Sequence, residues 1–143
     1  MPLRFGLIFC ADGKIDFDAT KYRLDNFLKS HDCFVIPGFY GALPDGTVKT
    51  MARGGSDITG SILDADMYEN WTDVSGILMA DPRIVTHPKR IHTITYSELR
   101  ELSYMGASVL HEEAIFPVKE KNIPINILNT NHPEEGGTII VEE

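Results

Sequence analysis

Short apolar runs alternate along the chain with stretches whose apolar residues recur at helical spacing, and this alternation restricts the fold to the α/β class with a mainly parallel sheet. Cys33-Phe34-Val35-Ile36 is continuously apolar and ends at Pro37-Gly38, the pattern of a strand buried on both faces. Residues 68–72, 124–128 and 138–141 read as further strands and 77–79 as a short apolar piece, and Asp12-Gly13 between residues 5–9 and 14–17 predicts an opening β-ribbon. A helix is expected from Asp18 as its cap through Tyr22, Leu24, Phe27, Leu28 and His31. Thr95-Tyr96-Ser97-Glu98 is a capping-box sequence that starts another, with Leu99, Leu102 and Met105 on its apolar face and Gly106 at its end. A last helix starts near His111, carries Glu112 and Glu113 in its first turn and Lys119 and Lys121 in its last, and should kink or restart at Pro117. Residues 84–94 read as irregular, anchored by Ile84, Val85, Ile91 and Ile94, and residues 39–50 as a loop or short hairpin.

The 143 residues suffice for one domain that buries roughly 70% of its unfolded surface. A formal charge of −8 supplies no basic stripe for a phosphate backbone, so nucleic acid is not an expected partner. Neither a membrane-length apolar run nor a secretory signal is present, which makes a cytoplasmic protein the expectation. Cys10 and Cys33 lie far apart in apolar surroundings and read as reduced, buried thiols rather than a disulfide. His31, His87, His92, His111 and His132 show no metal-ligand spacing, so the chain alone is not expected to build a metal site.

The stretch with most chemistry is Met51-Ala52-Arg53-Gly54-Gly55-Ser56-Asp57, which reads as a loop entering a helix that continues through Ile58, Ile62 and Ala65. Gly54 and Gly55 let backbone N–H groups approach a ligand, Ser56 or Asp57 can cap, and a helix N-terminus suits a carboxylate or phosphate. Arg53 offers a planar fork for a carboxylate, and Asp57 the charge an ammonium group needs, so the pair could hold both ends of an amino acid. The bland reading of the same residues is a turn followed by a local ion pair.

Longer motifs carry a resemblance. Val35-Ile36-Pro37-Gly38-Phe39-Tyr40-Gly41, Arg53-Gly54-Gly55-Ser56-Asp57, Trp71-Thr72-Asp73-Val74-Ser75-Gly76-Ile77 and Asp81-Pro82-Arg83 follow in order. Glu98-Leu99-Arg100-Glu101-Leu102-Ser103-Tyr104-Met105-Gly106-Ala107, Val109-Leu110-His111, Asn122-Ile123-Pro124 and Asn129-Thr130 complete the series. With these the chain closely resembles the aspartate kinase family, over about residues 33–141 strongly and over the first thirty loosely. The resemblance is to the C-terminal half of that family's kinase domain. It makes residues 1–143 a C-terminal portion without the N-terminal lobe, its Lys-Phe-Gly-Gly loop, a further acidic substrate contact, or the ACT regulatory domains. Ser108 departs from the family pattern, where a lysine that helps to hold ATP phosphates is common, and Glu112 stands where proline is common.

The resemblance implies an amino-acid kinase (carbamate kinase-like) fold, a three-layer αβα sandwich with a mainly parallel sheet, here partial. It implies transfer of the γ-phosphate of ATP, with Mg²⁺, to the β-carboxylate of L-aspartate, the step that opens lysine, threonine and methionine biosynthesis. Arg53, Gly54, Ser56 and Asp57 then correspond to the substrate site, and Thr72, Asp73, Asp81, Arg83 and Ser108 to the nucleotide site; no residue is assigned a catalytic role. The expected partners are L-aspartate and ATP, together with homo-oligomerisation or self-association through an exposed sheet edge. The isolated chain is expected to be inactive. The alternatives are a non-catalytic nucleotide-binding or assembly module, and an amino-acid kinase with another acceptor.

Overall fold

The computed structural model describes residues 8, 10–11, 14–31, 33–51, 55–63, 65–105, 110 and 112–142, and the chain divides into two compact units, Met1–Asp64 and Ala65–Glu143, where length alone pointed to one domain.

In the first unit Cys10–Ala11 (β1) pairs antiparallel with Lys14–Ile15 (β2), Cys10 opposite Ile15, as the ribbon reading expected. Most of the expected strand at residues 5–9, and Asp12-Gly13 themselves, lie outside the described residues. Helix α1, Phe17–Leu28, is capped by Asp16 rather than Asp18: the Asp16 carboxylate accepts the Ala19 N–H at 2.9 Å, and Asp18 sits in the first turn. Thr20 and Leu24 are the buried positions, whereas Tyr22, placed on the apolar face by spacing alone, is 72% exposed. At the helix end the Phe27 ring stacks on His31 with centroids 4.2 Å apart and meets Phe34 edge-on at 5.3 Å.

The expected buried strand at residues 33–36 does not form. Val35 is 93% exposed, and Cys33 is exposed too, so of the two cysteines only Cys10 is a buried thiol. A strand exists only through a neighbour's ladder bonds, and no described strand pairs with this segment. The chain instead enters a hairpin, Tyr40–Ala42 (β3) against Val48–Thr50 (β4), closed by Asp45, whose carboxylate accepts the Thr47 N–H at 2.8 Å, and by Gly46 at φ 84°. The Ala42 N–H donates to the Ile8 carbonyl at 2.8 Å, and a side chain on Gly41 would stand 2.8 Å from Cys10 Sγ. Helix α2, Gly55–Ile62, then buries Ile58 and Ile62, while Ala65 lies beyond the helix and is exposed.

The second unit is built on a four-stranded sheet. Its strands are Tyr68–Thr72 (β5), Thr93–Thr95 (β8), Ile125–Asn129 (β9) and Thr138–Val141 (β10), in the order β5-β9-β10-β8. β5 runs parallel to β9, from Tyr68 opposite Ile125 to Thr72 opposite Asn129; β10 is antiparallel to β9 and parallel to β8, so two of the three pairings are parallel. Ile125, Ile127 and Ile140 are fully buried on the central strands. A smaller antiparallel pair, Ile77–Leu78 (β6) with Arg90–Ile91 (β7), lies between β5 and β8 in sequence.

Residues 84–94, read as irregular, thus contain β7 and the first two residues of β8. Ile94 is a buried anchor as expected, but Ile84 is 83% and Val85 43% exposed. Two- and three-residue strands are too short to print an alternation pattern in the sequence. β8 runs directly into α3, Tyr96–Tyr104, through the predicted capping box: the Thr95 N–H and hydroxyl donate to Glu98 Oε2 at 2.8 and 2.9 Å, and the Glu98 N–H returns to Thr95 Oγ1 at 3.2 Å. Tyr96 and Leu99 are buried, and the Tyr96 hydroxyl donates to the Ile123 carbonyl. Burial, with the Glu142 charge nearby, pushes that hydroxyl up to about 12. Met105, expected on the apolar face, is the C-cap and 83% exposed; Gly106 lies outside the described residues. Helix α4, Glu112–Glu120, runs continuously through Pro117. Among the described residues no helix is long and apolar enough to cross a membrane.

Candidate functional site

Each unit carries part of the expected site. In the first, the loop before β3 lies against the first turn of α2. A side chain on Gly38 would meet Ser56 Cα and Cβ at 2.9 Å, Phe39 takes a left-handed φ of 74°, and the Met51 N–H closes the hairpin onto the Phe39 carbonyl at 2.8 Å. A side chain on Gly55 would stand 2.5 Å from Met51 Cβ, so the helix start sits directly on the end of the hairpin. Helix α2 begins at Gly55, which places Ser56, exposed, and Asp57, half-buried, inside its first turn rather than at the cap. The N–H groups of a first turn have no intrahelical acceptors, so this end offers donors to an anion and carries the Asp57 carboxylate beside them. Deeper in α2 the hydroxyls are already spent, Thr59 on the Gly55 carbonyl at 2.8 Å and Ser61 on that of Ile58 at 2.9 Å. Arg53 and Gly54 lie outside the described residues.

In the second unit the parallel neighbours β5 and β9 bring their carboxyl ends together, the edge where open α/β sheets take ligands. Thr72 ends β5 and Asp73 follows, the Thr72 hydroxyl donating to Asp73 Oδ1 at 3.2 Å. Thr130, just past β9, reaches back with its N–H at 2.8 Å and its hydroxyl at 2.6 Å, both donating to the Thr72 carbonyl. Asn129 is buried; its side-chain amide donates to Ser75 Oγ at 2.8 Å, and its Oδ1 accepts the Asn131 N–H at 2.9 Å. Gly76 turns the loop with φ 89°, after which the Ile77 N–H donates to Thr138 Oγ1 at 2.8 Å.

Asp81 and Arg83 engage each other. Arg83 Nε and Nη2 donate to the Asp81 carboxylate at 3.0 and 2.6 Å, and the Arg83 N–H adds a bond of 2.8 Å. The guanidinium holds the Asp81 carboxyl at about 2 and is itself pushed up. Arg83 remains 87% exposed, and among the described residues no hydrogen bond joins this pair to Thr72 or Asp73. Ser108 lies outside the described residues.

Sequence reasoning gave Thr72 and Asp73 a role, quoted Ser75 and Asn129-Thr130 as motif residues without one, and placed Thr138 only in a closing strand, although all four shape the loop. Their signal was faint: Asn129-Thr130 and Gly136-Gly137-Thr138 are polar or small residues at the boundaries of apolar strands.

The fold and the motifs at these positions define a class: the chain belongs to the amino acid kinase family, which it matches over residues 8–129. Within it, aspartokinases are among the chains it resembles at 30% identity or more. Aspartokinase 3 of Bacillus subtilis is 49% identical over 121 residues, which are 81% of this chain and 27% of that protein. The crystal structure of Clostridium acetobutylicum aspartate kinase is 58% identical with a TM-score of 0.87, over 95% of this chain and 32% of that one. Escherichia coli aspartokinase III, solved in complex with aspartate and ADP, is 32% identical with a TM-score of 0.82, over 96% of this chain and 33% of that one. The chain therefore spans about a third or less of the length of these relatives.

Proposed function

We propose that the chain is the C-terminal portion of an aspartate kinase domain and contributes to phosphoryl transfer from ATP to the β-carboxylate of L-aspartate. The observation that carries this reading is the 49–58% identity to aspartokinases over most of the chain. In this reading Arg53 pairs with the α-carboxylate of aspartate, Asp57 takes its ammonium group, and Gly54, Ser56 and the α2 amides orient it. Thr72, Asp73, Asp81, Arg83 and Ser108 belong to the nucleotide side.

Such a transfer is mainly positioning and charge neutralisation. The exposed Asp73 carboxylate, with the Thr72 hydroxyl beside it, suits a Mg²⁺ ion that takes its other ligands from phosphates and water. When bound, that ion would offset charge on the transferred group. The part this chain plays is to fix the acceptor at the start of α2 and to present hydroxyl and carboxylate groups at the sheet edge. Self-association through the outer edge of β5 belongs to the same proposal, because β5 ends the sheet and its outer ladder faces no described strand.

The test is a chimera in which this chain replaces the matching segment of Bacillus subtilis aspartokinase 3, assayed for aspartate-dependent ADP release. Arg53→Ala removes a charge-assisted fork and should raise the aspartate KM about 10- to 100-fold while leaving the ATP KM within about twofold. A chimera that turns over only with another acceptor, or an aspartate KM that Arg53→Ala leaves unmoved, would overturn the reading.

A further inference from the structure

Resting on the nucleotide-site reading above, we propose that Thr138 and Asn129 are positioning residues for the nucleotide, because they clamp the loop of residues 73–76 that follows Thr72 at the carboxyl end of β5. The loop is tied down from two strands distant in sequence. Thr138 is fully buried, and its hydroxyl bonds in both directions: Oγ1 accepts the Ile77 N–H at 2.8 Å and donates to the Ile91 carbonyl at 2.6 Å. A side chain on Gly76 would stand 2.4 Å from that same Oγ1, so glycine, the left-handed turn and the threonine hydroxyl fit one another. On the other side the buried Asn129 side chain spans from the Asn131 N–H to Ser75 Oγ. Thr130 fixes the loop's first carbonyl, that of Thr72, with two bonds.

A surface turn that only connected β5 to β6 would need none of this. Its polar groups would be met by water, and burying two side chains to hold them carries a desolvation penalty that each must offset with its own bonds. Rigid support of this kind is what a loop requires if its groups must meet a ligand at fixed positions. Thr138 acts on the loop through the Ile77 N–H and Asn129 through the Ser75 hydroxyl, so each is a positioning residue rather than a catalytic one.

The test is calorimetric titration with Mg·ADP of the chimera described above, which places this chain in a whole kinase domain, run beside thermal melts. Thr138→Val keeps the shape but leaves the Ile77 N–H and Ile91 carbonyl unpartnered, and it should weaken binding about tenfold or more. Thr138→Ser, which keeps the hydroxyl, should bind within about twofold of the parent. Ile140→Val, at a fully buried position on the same strand, serves as the structural control: it should lower the melting temperature and leave the Kd unchanged. If Thr138→Val does not fold, Asn129→Ala is read in its place, with the same expected loss. Parent protein that binds Mg·ADP, with Thr138→Val or Asn129→Ala matching the Ile140→Val control, would overturn the clamp alone. A parent that does not bind Mg·ADP would overturn the nucleotide-site reading and the clamp with it.

Discussion

Two adjacent glycines should respond oppositely to the same added methyl group. A Cβ on Gly137 would stand 1.9 Å from the Ile127 carbonyl oxygen and 2.7 Å from Asn126 Oδ1, whereas on Gly136 it would meet only Arg90 Nη2 at 3.7 Å, an ordinary contact. Gly137 immediately precedes Thr138, which pairs with Ile127 in the β9–β10 ladder. To reach ordinary contact the strand entry must open by about 1.5 Å, and the atom in the way is backbone, which cannot rotate aside. Overpacking of this kind costs about 1–3 kcal/mol, and a ladder group left without its partner about 1–3 kcal/mol more. Gly137→Ala should therefore lower stability by about 2–6 kcal/mol, a fall of at least about 4 °C in Tm for a chain of this size. Gly136→Ala should fall within about 1 kcal/mol of the parent, with a gain possible from the stiffer unfolded chain. Thermal melts followed by circular dichroism at several concentrations would read both. Equal Tm values for the two variants would refute the close approach of residue 137 to β9.

Two further tests follow from the local chemistry. Arg83→Ala should return the Asp81 carboxyl from about 2 towards the ordinary aspartate value near 3.8, read by carboxyl chemical shift against pH. Because the folded value is depressed, the pair's contribution is present above about pH 4 and is lost as pH falls towards 2, so a shift that does not move on mutation would remove the ion pair as its cause. Thr95→Ala should cost about 0.5–2 kcal/mol by urea denaturation, because it deletes one half of the α3 capping box.

The two units were legible to different degrees. Ile125–Asn129 and Thr138–Val141 announced themselves as mainly apolar runs, Tyr68–Thr72 as a short stretch with two aromatics, and the α3 start as a capping box, because each signal is local to its own residues. The run at residues 33–36 was just as apolar and misled, since a strand is completed by a partner that its own sequence does not contain. The α1 cap was misassigned by two residues because Asp16 and Asp18 are equally good acceptors in isolation. Thr72 and Asp73 were found by motif, but Thr138 could not be linked to them: 61 residues separate it from Ile77, and only the sheet order makes them neighbours.

The chain also carries its own pair of optical handles, one in each unit. Its two cysteines both lie in the first unit, and only Cys33 is open to reagents; Cys10 is shielded, and burial raises its thiol above the ordinary value, which starves it of the thiolate that alkylating reagents need. The single tryptophan, Trp71, stands half open on β5 in the second unit, its indole N–H donating to Glu69 Oε2 at 3.1 Å. A maleimide dye would therefore label the unmutated protein at one site, with the indole as its energy-transfer donor. The separation of the two units in solution, with and without ligand, is thus measurable without introducing a single substitution.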